Sequence, residues 1–583
     1  MKTNPFSTLL LLFLLLSTGC GTEEHSSNTE KENNEPPLTR TTLSSPSNRK
    51  EASAFLSRAT FGARMEDIEA LMELGDYDRW IEEQFNEPPS FHISWAEEKL
   101  KGIDGIGDLK NNPEDWKRYS DALGHVQRDA WWDIVVNGKD QLRQRVAFAL
   151  SEIFVVSRYG PLVNSPDTRM SYYDTLVKNA FGNFETLLKE ITYHPAMGRY
   201  LSYLGNAKSN PETGSHPDEN YAREVMQLFT IGLYQLNRNG SHKLDNKGNP
   251  IPTYTQKDVE QLARVFTGLS DQNGFFFPGE GDSTHHSRTR PMIPYEEYHD
   301  TGEKKIMDLT IPAGGSTRAD IDMALEYLAN HPNTGPFIAR RLIQRLVTSN
   351  PSPEYIERVA DAFADNGRGE RGDMKAVIRA VLLDEEALEG SHANPATFGK
   401  VREPLLFVSH LFRAFHAKKS ENILYQGEQA LYRYASYGFN GTGYTRQEGP
   451  LEALTVFNYF SPDDAPYILK KEGLTAPEFE LFGTAGIHEQ LAGLINKDTF
   501  IYETHGVTAE LQLDAETRLL ESGKEEELLN RLDVLLSSGN LSTSTRRAIL
   551  DYMERYKAML PADTLVRHAI TLVMTSPDYA VQR

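Results

Sequence analysis

The sequence predicts a mainly α-helical protein in which residues 51–583 form one large multi-helical domain. Apolar residues recur along most of this stretch at the three- and four-residue spacing of an amphipathic helix, whereas the alternation typical of strands is scarce. No Ser-, Pro- or Gly-rich linker and no internal repeat follows residue 50. The chain is 25% charged and 10% aromatic, so it has enough apolar surface for a substantial core.

The first twenty residues predict export and a lipid anchor. Lys2 precedes eight consecutive apolar residues, Leu9 to Leu16, a run too short to remain in a membrane as a span. Small residues then lead to Cys20, an arrangement that resembles the lipobox at which bacteria lipidate a cysteine and remove the preceding residues, here 1–19. Cys20 is the only cysteine in the 583 residues. We therefore expect attachment to the outer membrane, at its periplasmic or cell-surface face, through lipid on Cys20; an ordinary secretion signal is the alternative.

Residues 20–50 are predicted to form a disordered tether. They are rich in Ser, Thr, Asn, Glu and Pro and nearly free of large apolar side chains. Such a segment cannot bury enough surface to fold by itself.

Helical periodicity then places the elements of the domain. The first helix is expected at 65–75, where Gly75 is a stop signal. A helix pair at 170–193 is expected to break near Gly182. The remaining helices are predicted at 140–156, 333–348, 353–365, 373–383, 400–416, 449–459, 511–536, 543–558 and 563–575.

Residues 268–318 interrupt this pattern with a long irregular insertion. The segment has no helical period, and a short β-hairpin is compatible with it. Its three adjacent Phe residues, 275–277, require burial, which favours an ordered loop packed on the helices. Such loops serve either as functional lids or as insertions without a role in the site.

One predicted helix carries an unusual polar face. Ser215 and Asp218 have the spacing of a capping box, which predicts a helix start there. At 100° per residue, five polar residues fall within about 140° of the helix circumference, and none is Lys. They are Glu219, Asn220, Arg223, Glu224 and Gln227.

Two interpretations of this polar face remain open. In the first, it lines a pocket in which Glu219 or Glu224 acts as general acid or base and Arg223 binds an anionic group, with Asn220 and Gln227 as further binding residues. In the second, it is a structural ion-pair network between helices.

The same stretch resembles a known family. PDENYAREVMQLFTIGL, residues 217–233, is similar to the signature helix of the bacterial domain-of-unknown-function family 1800. Further similar segments follow the order of the family, at 55–63, 142–157, 172–211, 252–269, 299–300, 331–363, 400–405 and 456–462. The resemblance implies an exported helical protein and brings no substrate with it.

Other polar residues in these segments are weaker site candidates. His194 and His299 are considered as auxiliary groups, His299 as a catalytic base and His194 as a binding residue beside Asn206. Thr255 and Asp258 form a second capping box. The chain has neither HExxH nor paired His residues at helical spacing, so the sequence leaves a metal cofactor unknown. Nucleophile-elbow and phosphate-loop motifs are also missing.

Charge narrows the choice of partner. The formal net charge is −22 and no basic run stands out, so nucleic acid is not an expected partner. The first functional hypothesis is a hydrolase that acts on an extracellular polymer. The alternative is a non-enzymatic surface scaffold or binding lipoprotein, which would contact a polymer or another exported protein.

Overall fold

The computed structural model describes residues 44–101, 116–272, 277, 288–394, 396–419, 449–482, 486–496 and 509–583. The chain from Leu43 to Arg583 clusters into one compact unit. Within the described ranges, helices are joined by irregular segments and by short antiparallel strand pairs. The predicted mainly α fold class is confirmed.

The first half of the domain contains eleven of the described helices. They are α1 (Arg49–Ala59), α2 (Met65–Leu74), α3 (Tyr77–Asn86), α4 (His92–Lys101), α5 (Trp116–Asn137), α6 (Gln141–Ser151), α7 (Pro166–Asn179), α8 (Phe184–Thr192), α9 (Pro195–Tyr200), α10 (Asn220–Gln227) and α11 (Gln256–Val265).

The second half continues the helical pattern. Its helices are α12 (Thr317–Asn330), α13 (Thr334–Leu346), α14 (Pro353–Ala364), α15 (Met374–Leu383), α16 (Glu385–Ala393), α17 (Pro404–Ala414), α18 (Tyr467–Lys471), α19 (Gly486–Ile495), α20 (Asp514–Glu521), α21 (Glu525–Ser537), α22 (Thr543–Tyr556), α23 (Ala562–Met574) and α24 (Pro577–Ala580). The strands pair as β1 (Leu269–Ser270) with β2 (Ile293–Pro294), β3 (Lys304–Ile306) with β4 (Leu309–Ile311), β5 (Lys400–Val401) with β8 (Val581–Gln582), and β6 (Lys418–Lys419) with β7 (Ala509–Glu510).

Most helix positions follow the apolar periodicity. The helix predicted to end at Gly75 is α2, and Gly75 follows it in the left-handed conformation with φ 63°. The predicted pair at 170–193 is α7 and α8, separated near Gly182. α1 begins at Arg49, so the last two residues of the stretch predicted as a tether belong to a helix.

Two helices, α6 and α17, are buried along their whole length. Every residue of both is buried, including charged ones, so no solvent-facing side remains. Their guanidinium groups bond to main-chain carbonyls: Arg145 donates to Arg345 O at 2.8 Å and Arg413 to Gly62 O at 2.7 Å. Those hydrogen bonds offset part of the cost of burying the charges.

The helix predicted at 449–459 is wrong. The segment is irregular, and both Leu451 and Asn458 are in the left-handed region, with φ 57° and 69°. Asn458 Nδ2 donates to buried Glu152 Oε1 at 3.2 Å. This tertiary hydrogen bond and the left-handed residues are incompatible with a continuous helix, despite the apolar spacing.

The predicted capping box at Ser215 is also wrong. α10 begins later, at Asn220, and Ser215 is exposed. The reason is tertiary: the Asp218 N–H donates to Asn206 Oδ1 at 2.9 Å, and Asn210 and Ser215 form an antiparallel bridge. The second predicted box, Thr255 with Asp258, is confirmed at the start of α11.

The insertion at 268–318 contains the hairpin that the sequence allowed. β3 and β4 pair in register from Lys304–Ile311 to Ile306–Leu309. Phe277 is buried and stacks on Tyr298 with 4.0 Å between ring centroids. Phe275 and Phe276 lie outside the described residues.

None of the helices in the described ranges combines the length and the apolar character that crossing a membrane requires. Residues 1–19, Cys20 and most of the predicted tether lie outside those ranges.

Candidate active site

The polar face of α10 is partly an ion-pair cluster at the surface. Arg223 Nη2 donates to Glu219 Oε2 at 3.0 Å and to Gln256 Oε1 at 3.1 Å. Gln256 Nε2 also donates to Glu219 Oε2, at 2.8 Å. Both charged side chains are more than a third exposed, so the pair contributes little to stability. Glu219 and Arg223 are one helical turn apart, so this ion pair lies along α10.

Glu224 differs from these neighbours because it is buried. Its side chain is in the interior, burial raises its pKa, and Oε2 has no hydrogen-bond partner among the described residues. Tyr254, whose pKa is raised first by burial and then by Glu224, also has a buried hydroxyl with no hydrogen-bond partner in the described part of the chain. The polar face is therefore neither an open cleft nor a fully satisfied network.

The predicted binding residues of this face take separate positions. Asn220 is exposed and donates to Ser202 Oγ at 3.4 Å. Asn206 accepts the Asp218 N–H and so holds the chain before α10. Gln227 lines a different groove, beside Arg340 and Phe337.

The two predicted auxiliary histidines are engaged in the core. His194 accepts the Ala196 N–H at 3.1 Å as the cap of α9, and burial lowers its pKa to about 3. His299 is fully buried; Nδ1 donates to Thr267 O at 2.9 Å and Nε2 lies 3.1 Å from Asp320 Oδ2. These contacts favour structural roles, and the described contacts do not bring His299 together with Glu219 or Glu224.

A different part of the molecule contains an arginine-lined pocket. This cavity of about 700 Å³ lies between α4, α5 and α7. Segments before α7 and after residue 449 complete its wall. Its polar lining consists of His92, Gln127, Arg128, Arg158, Asn164, Arg169, Tyr173, Arg288 and Glu452.

One wall of the arginine-lined pocket carries a His–Asp pair. α4 begins at His92, and the main-chain N–H groups of His92 and Ile93 donate to the two carboxylate oxygens of Asp174 on α7, at 2.7 and 3.0 Å. The His92 imidazole Nδ1 lies 2.9 Å from Asp174 Oδ1. Because a carboxylate accepts, this contact places a proton on Nδ1, and in the neutral imidazole the lone pair is then on Nε2.

The second nitrogen of His92 is the unusual atom of the site. The His92 side chain is 3% exposed, and Nε2 has no hydrogen-bond partner among the described residues. Leaving a buried polar atom unpaired costs about 1–3 kcal/mol. An imidazole that is oriented by a carboxylate, has an unpaired second nitrogen and belongs to a residue lining a cavity has the arrangement of a general acid–base residue.

The arginines give the pocket a positive interior. Arg158 Nη1 lies 2.8 Å and Arg128 Nη2 3.4 Å from Glu452 Oε1. Arg169 is buried and donates to Gln127 Oε1 at 2.7 Å and to Val163 O at 3.1 Å. Burial and then the charge of Arg158 lower the pKa of Arg169 to about 10. Four arginines line the pocket and two of them pair with Glu452. They form an anion-binding environment, because guanidinium groups bind carboxylate, sulfate and phosphate through paired N–H donors.

No local motif in the sequence marks this pocket. His92 and Asp174 are 82 positions apart, and Arg158 and Glu452 are 294 apart, so they form no local motif. Asp174 and Arg158 lie within or directly beside segments that resemble the family, and that was the only available signal. Among the described residues, no group of three or more His, Cys, Asp or Glu side chains is arranged to hold a metal ion.

Comparison with known proteins places the chain in a family without adding an activity. Searches of curated proteins and of solved structures found no match. The family model described as "Protein of unknown function (DUF1800)" matches residues 54–581, which is nearly the whole chain. The chain therefore belongs to this family of proteins of unknown function, as the resemblance of its α10 segment implied.

Proposed function

We propose that this protein is an exported lipoprotein that holds an anionic group of an extracellular polymer in the arginine-lined pocket and hydrolyses a neighbouring bond, with His92 as general acid–base. The observation that carries the proposal is that His92, whose buried Nε2 has no hydrogen-bond partner among the described residues, lines a cavity that four arginines also line. The proposal assigns general acid–base catalysis to His92, oriented by Asp174. It replaces the earlier candidates Glu219, Glu224 and His299.

The geometry supports a simple proton cycle. His92 Nε2 takes a proton from a water molecule as the water oxygen attacks the electrophilic atom of the scissile bond. Asp174 stabilises the imidazolium through its contact with Nδ1, at 2.9 Å. The leaving oxygen then takes the proton from Nε2, which restores the neutral imidazole. The arginines orient the anionic substituent and do not exchange protons.

The charge distribution supports an anionic ligand. The chain carries a formal charge of −22, which repels polyanions at long range. The arginine-lined pocket reverses that sign locally, since the four arginines among its described lining residues outnumber the two carboxylates at its wall, Glu452 and Asp174.

Replacing Arg158 with Gln tests the binding step. We expect affinity for sulfated or uronate-containing polysaccharides to fall about tenfold or more, because a hydrogen-bonded charge partner is lost. Binding to the full-length chain in detergent is measured by titration calorimetry, with uncharged dextran as the reference ligand. Arg49→Gln is the matched control, because Arg49 forms an exposed pair with Glu69 outside the pocket.

The same preparations separate an enzyme from a binding protein. Release of reducing ends, sulfate or phosphate from bound polymer supports hydrolysis. Binding that depends on Arg158 without any release would favour the binding-lipoprotein alternative. Equal binding by wild type and Arg158→Gln would refute the anion site itself.

The lipid anchor is tested separately with Cys20→Ser. In cells fed radiolabelled palmitate, we expect label on the wild-type chain in the membrane fraction and none on the variant, because Cys20 is the only thiol available for lipid attachment. Ser17→Ala is the matched control, since it changes a neighbouring small residue, leaves the thiol in place and is expected to keep the label. Equal labelling of wild type and Cys20→Ser would refute lipidation at this residue.

A further inference from the structure

One acidic side chain already occupies the arginine cluster of the pocket. Glu452 Oε1 lies 2.8 Å from Arg158 Nη1 and 3.4 Å from Arg128 Nη2. The Glu452 side chain is 17% exposed, so solvent screens its charge only in part. A ligand anion that approaches these two arginines must therefore share them with a carboxylate of the chain.

The backbone conformation, as well as the ion pairs, places Glu452 beside Arg158 and Arg128. Leu451 is buried in the left-handed conformation, which costs a non-glycine residue about 1–2 kcal/mol. Its carbonyl accepts the Arg158 N–H at 2.8 Å, and the Glu452 N–H donates to Gly449 O and Tyr459 Oη at 2.9 and 3.0 Å. A Cβ on Gly449 would lie 2.8 Å from Glu452 Oε2, so the side chain packs closely on the glycine. The fold holds this carboxylate at the pocket wall at some conformational cost.

We propose that Glu452 is a specificity-determining residue, which lowers the preference of the pocket for doubly charged phosphate monoesters relative to singly charged groups, such as sulfate esters and carboxylates. This inference rests on the anion site of the proposed function. Repulsion between Glu452 and a ligand grows in proportion to the ligand charge, so a dianion loses about twice the interaction energy that a monoanion loses. The arginines attract both ligands, and Glu452 lowers the advantage of the dianion.

Methyl sulfate and methyl phosphate are the probes that test the role of Glu452 in this selectivity. They have nearly the same shape, and at about pH 8 they differ by one unit of charge. Their affinities for the full-length chain in detergent are measured by titration calorimetry. For Glu452→Gln we expect affinity for methyl phosphate to rise about tenfold and for methyl sulfate about threefold, so that the ratio of the two shifts toward the dianion.

Two control variants show whether a change in affinity comes from the charge of Glu452. Glu69→Gln removes a carboxylate that pairs with Arg49 at the surface, and it is expected to leave both affinities unchanged. Glu452→Asp keeps the negative charge and is expected to keep the wild-type ratio. If Glu452→Gln fails to fold, Glu452→Asp alone still tests the inference. A ratio of methyl phosphate to methyl sulfate affinity that moves toward methyl phosphate in Glu452→Asp would refute the inference. An unchanged ratio supports it.

The outcomes separate this inference from the anion site. If Glu452→Gln weakens both ligands together, Glu452 only holds the arginines in place and the inference is wrong. An unchanged ratio in a folded Glu452→Gln also overturns it, while binding to wild type leaves the anion site standing. Failure of both ligands to bind either protein would overturn the inference and the anion site together.

Discussion

Replacing His92 with Gln is expected to lower the turnover number at least about 100-fold while polymer affinity stays within about twofold of wild type. Gln has no ring nitrogen that can accept and return a proton, whereas the arginines that orient the anionic group are unchanged. A positioned general acid–base residue typically contributes about 10²–10⁴ in rate. Initial rates of bond cleavage and calorimetric affinities on the same polymer measure the two quantities.

Two further variants distinguish catalysis from structure at this position. Asp174→Asn is expected to lower turnover less than His92→Gln, because Asp174 acts through the imidazole and does not touch the substrate. His331→Gln is the control, since His331 is a half-buried helix-entry residue outside the pocket whose Nδ1 accepts the Asn333 N–H at 3.1 Å. If His92→Gln retained wild-type turnover, the assignment of His92 would fail.

Replacing Lys400 with Met is expected to destabilise the fold by about 3–5 kcal/mol. Lys400 Nζ lies 2.7 Å from Glu403 Oε1 and 3.3 Å from Glu478 Oε1, and it donates to Arg345 O at 3.0 Å. All three ionisable side chains are at most 1% exposed. Burial already raises the pKa of Glu478, and the charge of Lys400 opposes that shift. Without Lys400, two buried carboxyl groups lose their nearest cation.

The measurement is the free energy of unfolding in urea at neutral pH. Lys524→Met is the matched control, because Lys524 pairs with Glu527 at the same three-residue spacing but on the surface, with both side chains about half exposed. That variant is expected to lose less than about 1 kcal/mol. A loss for Lys400→Met as small as that of the control would mean that water reaches the cluster and that burial does not govern its energy.

The elements that local patterns specify were predictable. The apolar stripes of α2, α7 and α13 and the capping box of α11 depend on residues within four positions of one another, so the sequence displays them directly. The prediction failed where a distant partner intervened. Asn206 holds the chain before α10, and Glu152 binds Asn458 in the segment that was expected to be a helix.

In the candidate site, too, local sequence patterns were visible and contacts between distant residues were not. The α10 segment was a site candidate because its polar residues lie close together in the sequence, and its Glu219–Arg223 pair is present. His92 has no distinguishing neighbours in the sequence, and its significance depends on Asp174, 82 residues away, and on arginines contributed by several elements. Whether a histidine nitrogen is left unpaired beside a cavity is a property of packing, which composition and spacing do not contain.

By itself, the sequence determined the helical class, the positions of most helices and the membership of the family, because these depend on periodicity and on contiguous segments. Only the tertiary structure decided which polar residues meet. It buried His299 against Asp320, exposed Asn220, and brought His92, Arg158 and Glu452 to one cavity. The physical reason is that hydrogen bonds and charge interactions act over a few ångströms in space, and the chain brings together residues that are hundreds of positions apart.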